Sequence, residues 1–128
     1  SLVAKYQKRI SGPLLDRIDM FVEVPRVEYE KLVEVSSGET SSQVRARVER
    51  ARELQRRRFR DTHFSANAEM GPAMVWEQCK LEDGARGLLQ TAMKQLTLTA
   101  RGFHRVLKLS RTIADLAEAL QYRPRETG

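Results

Sequence analysis

The sequence is short of almost everything that marks a self-contained catalytic site. Of its 128 residues one is cysteine. A disulfide framework is therefore excluded, and a reducing, cytoplasmic setting is expected. No apolar run approaches the roughly 18 residues of a membrane span, so no membrane association is expected. Aromatic residues make up 6% of the chain, too few for a platform that stacks single-stranded nucleic acid. There is no GxxxxGK(S/T) phosphate loop, no GxGxxG, no HExxH and no CxxC pair. His63, His104 and Cys79 fit no zinc-ligand spacing, so no metal site is expected. The first residue is Ser1 rather than Met, and the chain is read as a piece of a longer protein.

What is present is a globular composition with a basic balance. Hydrophobic residues are 41% and charged residues 31%, with 23 Lys plus Arg against 17 Asp plus Glu, a formal charge of +6. A chain of this length buries roughly two-thirds of its unfolded surface, enough for one core without staples. The first 25 residues differ from the rest. Ser11 and Pro13 suit the start of a short helix through Leu14, Leu15, Asp16 and Arg17. Ile18, Met20, Val22 and Val24 then alternate with Asp19, Phe21 and Glu23 up to Pro25, which is the pattern of a strand. The sequence offers no second strand to pair with it, and strand backbone groups need partners. Those partners are expected upstream of Ser1.

Beyond Pro25 the pattern is helical, and the predicted fold class is mainly α. Tyr29, Leu32 and Val33 mark a short helix, and the polar run 36–42 ends in cap residues. A long helix from Gln43 to about Arg60 follows, with Val44, Val48, Ala51, Leu54 and Phe59 as its apolar stripe. Residues 41–60 hold eight Arg and two Glu. Such a run can bind nucleic-acid phosphates, but a charge-rich helix is more often a solvated face. Residues 61–68 read as a loop containing His63 and Asn67. Gly71-Pro72 opens a short helix with Met74, Val75, Trp76 and Cys79, and Trp76 and the methionines are expected in the core. Asp83 suits the cap of the next helix, whose buried face would be Leu88, Leu89, Ala92, Met93 and Leu96. Thr97 or Thr99 suits the cap of the last helix. Its expected buried face is Phe103, Val106, Leu107, Ser110, Ile113, Ala114, Ala117 and Leu120, with Arg101, Arg105, Lys108 and Arg111 on other faces.

Two runs resemble a known family. Arg9-Ile10-Ser11-Gly12-Pro13-Leu14-Leu15-Asp16-Arg17-Ile18-Asp19, with Val22-Glu23-Val24-Pro25, is similar to a segment of the magnesium-chelatase-like AAA+ ATPases, best in their ComM/YifB branch. Leu98-Thr99-Ala100-Arg101, Arg105-Val106-Leu107-Lys108, Arg111-Thr112-Ile113-Ala114-Asp115-Leu116 and Glu118-Ala119-Leu120-Gln121-Tyr122-Arg123 are similar to a second segment of the same family, in the same order. The resemblance implies that residues 1–25 are the last helix and last strand of the ATPase core and residues 26–128 a C-terminal helical lid. The phosphate loop and the acidic magnesium-binding motif of the family lie upstream of the matched region. ATP and Mg²⁺ are thus implied for the full-length protein, and neither binding nor hydrolysis by this piece alone.

The resemblance also assigns roles. It places Arg17 where the family has its arginine finger, acting on a neighbouring subunit's nucleotide, with Asp16 beside it to orient it. An Arg suits that task because its charge is permanent and its donors form a rigid fork. The plain alternative is a surface Arg favoured by the dipole at a helix C-terminus. Arg101 falls where the family has its lid sensor of nucleotide phosphates, and Arg105, one turn on, is a weaker counterpart. The plain alternative for Arg101 is a helix-start Arg pointing into water. The resemblance further implies a homo-hexameric ring working on DNA by branch migration. A metal-insertion ATPase of the chelatase type is the alternative, and a stand-alone basic module that binds DNA or protein is the rival class. One departure bears on the fold. Family members carry a further stretch between Ala-Asp-Leu and Glu-Ala-Leu-Gln-Tyr-Arg, whereas here Leu116 runs directly into Ala117-Glu118. One continuous helix from Thr99 to Tyr122 and two helices with a shortened connection both satisfy that sequence.

Overall fold

The computed structural model describes residues 4, 12–15, 17–29, 33 and 38–121. They fall in two compact units, Ser1–Gly38 and Glu39–Gly128. In the first unit a four-residue helix, α1 (Gly12–Leu15), ends where the Arg17 amide donates to the Leu14 carbonyl at 3.0 Å. Residues 18–28 form no regular element. The alternating segment is laid open, with Met20 61%, Phe21 65%, Val22 76% and Val24 81% exposed. The expected strand at 18–24 is therefore not formed. The reason is the one its isolation suggests: a strand is held by a ladder, and no partner strand exists among the described residues. Tyr29 and Val33 have helical backbone, and most of the short helix expected around them lies outside the described residues.

The second unit carries four α-helices and a 3₁₀ turn among its described residues, in keeping with the mainly α expectation. Helix α2 (Ser41–Arg58) begins at a capping box. The Gln43 amide donates to Thr40 Oγ1 at 3.3 Å, and the Thr40 amide donates to Gln43 Oε1 at 2.9 Å. The chain then passes a 3₁₀ turn (Asn67–Glu69), where the Glu69 carboxylate accepts from the amides of Ser65 and Ala66. Helix α3 (Pro72–Gln78) starts with Pro at its first position, where no N–H is needed. Helix α4 (Asp83–Leu96) stops because Thr97 turns left-handed at φ 51°. Thr99 caps α5 (Ala100–Gln121), its hydroxyl accepting from the Gly102 amide at 3.1 Å. Of the two readings of the last segment, the continuous helix is the one observed.

The apolar core is small. Phe59, Met70, Val75, Cys79 and Leu107 are buried together, and Phe64, Met74, Leu81, Leu89 and Phe103 pack around them. Several expected core residues stand outside it. Trp76 is 60% exposed, and no residue of α4 is buried, with Leu88 74% and Leu96 68% exposed. On α5 the inversion is sharper. Of the expected apolar face, Val106, Ser110, Ile113, Ala114 and Ala117 are exposed, and the helix instead turns its polar face inward.

That inward face meets α2 and the 3₁₀ turn in a polar seam. Asp115 is fully buried (0% exposed). Arg58 clasps it in a two-point fork, Nη1 to Oδ2 at 2.8 Å and Nη2 to Oδ1 at 2.6 Å. Arg111, one turn back on α5, donates to Oδ1 from Nε and Nη2 at 3.0 and 2.9 Å. Asn67 donates from Nδ2 to Asp115 Oδ2 at 2.8 Å and to Thr112 Oγ1 at 3.1 Å, and accepts from Arg58 at Oδ1 at 2.8 Å. Its own amide donates to Gln55 Oε1 at 3.0 Å. Lys108 Nζ closes the seam on the Ala68 carbonyl at 3.0 Å. No buried side-chain N or O among the described residues lacks a partner. This explains the inversion, since burying a charge is tolerable only when it is paired and fully hydrogen-bonded.

Burial by itself would push the Asp115 carboxyl up. The bonds from Arg58, Asn67 and Arg111 outweigh it and hold the group below its ordinary value. A depressed carboxylate contributes stability above the usual Asp range, near pH 4, and that contribution is lost as pH falls through the folded-state value. Asp115→Ala leaves Arg58 uncompensated and should cost about 3–5 kcal/mol in a urea unfolding curve at neutral pH. Stability of the unaltered chain should drop as pH is lowered below about 4, and Asp115→Asn should flatten that dependence.

Candidate functional site

Arg17 and Arg101 belong to different units. Arg17 sits in the turn after α1 with an exposed side chain. Asp16, expected to orient it, lies outside the described residues. Arg101 occupies the first turn of α5 and is exposed, with no ion pair or hydrogen bond to its guanidinium among the described residues. A cation there faces the positive end of the helix dipole, a mildly unfavourable place that a bound anion would reverse. Arg105 follows one turn later, half-buried and on the same face.

The start of α5 is flanked by aromatic side chains. The Trp76 ring lies 5.4 Å from Phe103 and 6.1 Å, edge-on, from His104. Beside them an open groove of about 690 Å³ is walled by Trp76, Leu81, Leu89, Met93 and Phe103, with Lys80 and Arg86 at its margin. Apolar walls with a few cations suit a ligand that has an apolar body and negative charge. Cys79, whose thiol burial pushes up, is an inert part of the core. No cluster of three metal-ligating side chains occurs among the described residues. Nor is any helix among them long and apolar enough to cross a membrane.

The Arg-rich helix α2 presents less free charge than its sequence suggests. Arg58 is spent in the buried seam. Arg47 pairs with Glu39 at 2.6 Å, and Arg56 and Arg57 both pair with Glu53. Arg50 reaches the Ala119 carbonyl at 3.5 Å. Arg45, Arg52 and Arg60 are left exposed without an ion pair among the described residues. Sequence reasoning passed over Arg58, Asn67 and Asp115 as a group. The available signal was Asp115, a carboxylate set between Ile113-Ala114 and Leu116-Ala117.

Comparison with known proteins agrees with the two-part division of the chain. Residues 38–127 match the family model described as magnesium chelatase, subunit ChlI C-terminal, and residues 1–32 match that of magnesium chelatase, subunit ChlI. The competence protein ComM of Haemophilus influenzae is 40% identical over 133 residues, covering 94% of this chain and 25% of that protein. The uncharacterized protein YifB of Escherichia coli K12 is 36% identical over 116 residues, covering 90% of this chain and 22% of that protein. An uncharacterized protein of Mycobacterium tuberculosis H37Rv is 36% identical over 113 residues, covering 88% of this chain and 22% of that protein. The chain thus spans about a quarter of the length of these relatives. The ComM match runs over 133 positions, while 94% of 128 residues is about 120, so about a dozen positions of that relative have no counterpart here. With a C-terminal model covering most of its length and a ChlI model matching the segment before it, the chain belongs to the magnesium chelatase subunit ChlI family.

Proposed function

We propose that this chain supplies two arginines to an AAA+-type ATP hydrolysis site, and that the full-length protein works as a ring-shaped, DNA-remodelling motor. The observation that carries the reading is Arg101: an exposed guanidinium in the first turn of a 22-residue helix, where the dipole mildly disfavours a cation and a bound anion would reverse that. Its role is to contact the terminal phosphate of ATP and to pass the presence of that phosphate to the helical unit. Arg17 acts across a subunit boundary, where its exposure leaves it able to reach a neighbour's nucleotide. Negative charge builds on the transferring phosphoryl group, and a guanidinium aimed at it accelerates transfer roughly 10³–10⁵-fold. Asp16 beside it serves as the orienting carboxylate. The apolar groove next to Phe103 supports a nucleotide's base at the same end of α5. The phosphate loop and the residues that hold Mg²⁺ come from outside this chain, since no such motif is in it. Bound Mg²⁺ would neutralise charge on the phosphates; the arginines position and stabilise. This chain alone is expected to bind ATP weakly.

A relative named as a competence protein supports DNA as the substrate. The description of the matching family, magnesium chelatase, supports metal insertion as the second reading. Turnover by the full-length protein with branched DNA, against turnover with porphyrin-handling partner subunits, separates the two. The exposed Arg45, Arg52 and Arg60 are too few to carry a DNA contact by themselves, and the ring is expected to grip DNA elsewhere.

Arg17→Ala in the full-length protein should abolish most turnover and leave nucleotide binding intact. Rings mixed from Arg17→Ala subunits and phosphate-loop mutants should regain part of the activity, and failure to do so in rings shown to be mixed would place Arg17 in its own subunit's chemistry or in structure. Arg101→Ala should weaken ATP about tenfold to a hundredfold, as expected for a lost charge-assisted bond, and ADP much less. The check is a pair of nucleotide titrations, with a thermal melt showing little change because Arg101 is exposed.

A further inference from the structure

We infer that Asn67 and Thr112 are positioning residues for Arg101, setting the roll of α5 so that its first turn points correctly. This rests on the phosphate-contacting role proposed above for Arg101. At 3.6 residues per turn, Arg101, Arg105, Lys108, Thr112 and Asp115 fall within about 80° of one another around α5, a single stripe along the helix. The far half of that stripe is fastened. Lys108 Nζ donates to the Ala68 carbonyl at 3.0 Å, Thr112 Oγ1 accepts from Asn67 at 3.1 Å, and Asp115 accepts from Asn67 and Arg58 at 2.8 Å each. The near half, Arg101 and Arg105, extends beyond the seam toward the helix start.

Hydrophobic packing does little to fix this roll. It is non-directional, and much of the apolar side of α5, with Ile113 58% and Val106 36% exposed, faces away from the core, Leu107 and Phe103 excepted. Among its described side chains, Leu107 and Ala119 are the buried apolar ones. The directional bonds of the seam are what hold the azimuth. A roll of 20° moves a side chain about 2 Å at a helix radius of roughly 5–6 Å, enough to break a phosphate contact, since misplacement near 1 Å already matters for reacting groups. Asn67 is the shared hinge pin. It is 1% exposed and bonds Gln55 and Arg58 of α2 as well as Thr112 and Asp115 of α5. Thr112 lies about 16 Å along the axis from Arg101, too far to touch the same ligand atom.

The test is a double-mutant cycle on ATP and ADP binding in the full-length protein. Thr112→Val keeps the shape and removes the hydroxyl that Asn67 bonds; Asn67→Ala removes the pin; Thr112→Ser keeps the hydroxyl. The expected result is a several-fold loss of ATP affinity in Thr112→Val and Asn67→Ala, ADP affinity nearly unchanged, and Thr112→Ser restoring the unaltered value. In the Arg101→Ala background, Thr112→Val should add no further loss. Sites this far apart without coupling would add their effects. Equal losses for ATP and ADP, additive losses with Arg101→Ala, or failure of Thr112→Ser to restore binding overturns the inference and leaves the role of Arg101 standing. Arg101→Ala binding ATP and ADP as the unaltered protein does overturns that role, and the inference with it. If Asn67→Ala does not fold, Thr112→Val decides the matter alone.

Discussion

The packing of α2, the 3₁₀ turn and α5 against one another depends on one buried carboxylate. Asp115 has no contact with solvent and accepts from five donor atoms, four from Arg58 and Arg111 and one from Asn67, while the Lys108 ammonium, two stripe positions back, donates to the Ala68 carbonyl. A charge so placed dictates its surroundings. It draws Arg58 out of the solvated face of α2, requires an amide donor from the 3₁₀ turn, and turns the polar side of α5 inward. The core of Phe59, Met70, Val75, Cys79 and Leu107 is left to seal one end of this arrangement.

Much of the architecture was legible from the sequence. Thr40 and Thr99 cap the helices where cap residues stand, Pro72 opens α3, and Cys79 is buried as a small hydrophobe. The choice of buried face on α5 was not legible. Periodicity ranks Val106, Ile113, Ala114 and Ala117 as a core stripe because it counts apolar residues. It cannot see that Arg58, 57 positions earlier, is shaped to receive Asp115. The same blindness to distant partners placed Trp76 and Leu96 in the core and gave residues 18–24 a strand. An alternating pattern states a preference for a ladder; the ladder itself needs a neighbour.

For the candidate site the sequence was a poor guide to surroundings. The motifs around Arg17 and Arg101 lie in the segments that match the family, and both side chains are exposed. Eight arginines between 41 and 60 suggested a broad cationic face. Pairing within the unit reduces it, because Glu39, Glu53 and Asp115 each take arginines out of play. Counting charges along a helix overstates its field whenever partners arrive from other elements. The continuous α5 joins the seam and Arg101 in one stiff rod.

That rod is the centre of the account: the proposed phosphate contact at one end and a polar anchor along the same face. The most direct measurement is a structure of the full-length protein with a non-hydrolysable ATP analogue. The Arg101 guanidinium is expected within hydrogen-bond distance of a terminal-phosphate oxygen, with the Arg58–Asp115 fork and the Asn67–Thr112 bond both intact. An Arg101 that instead pairs with a carboxylate or points into solvent while the analogue is bound would contradict the account.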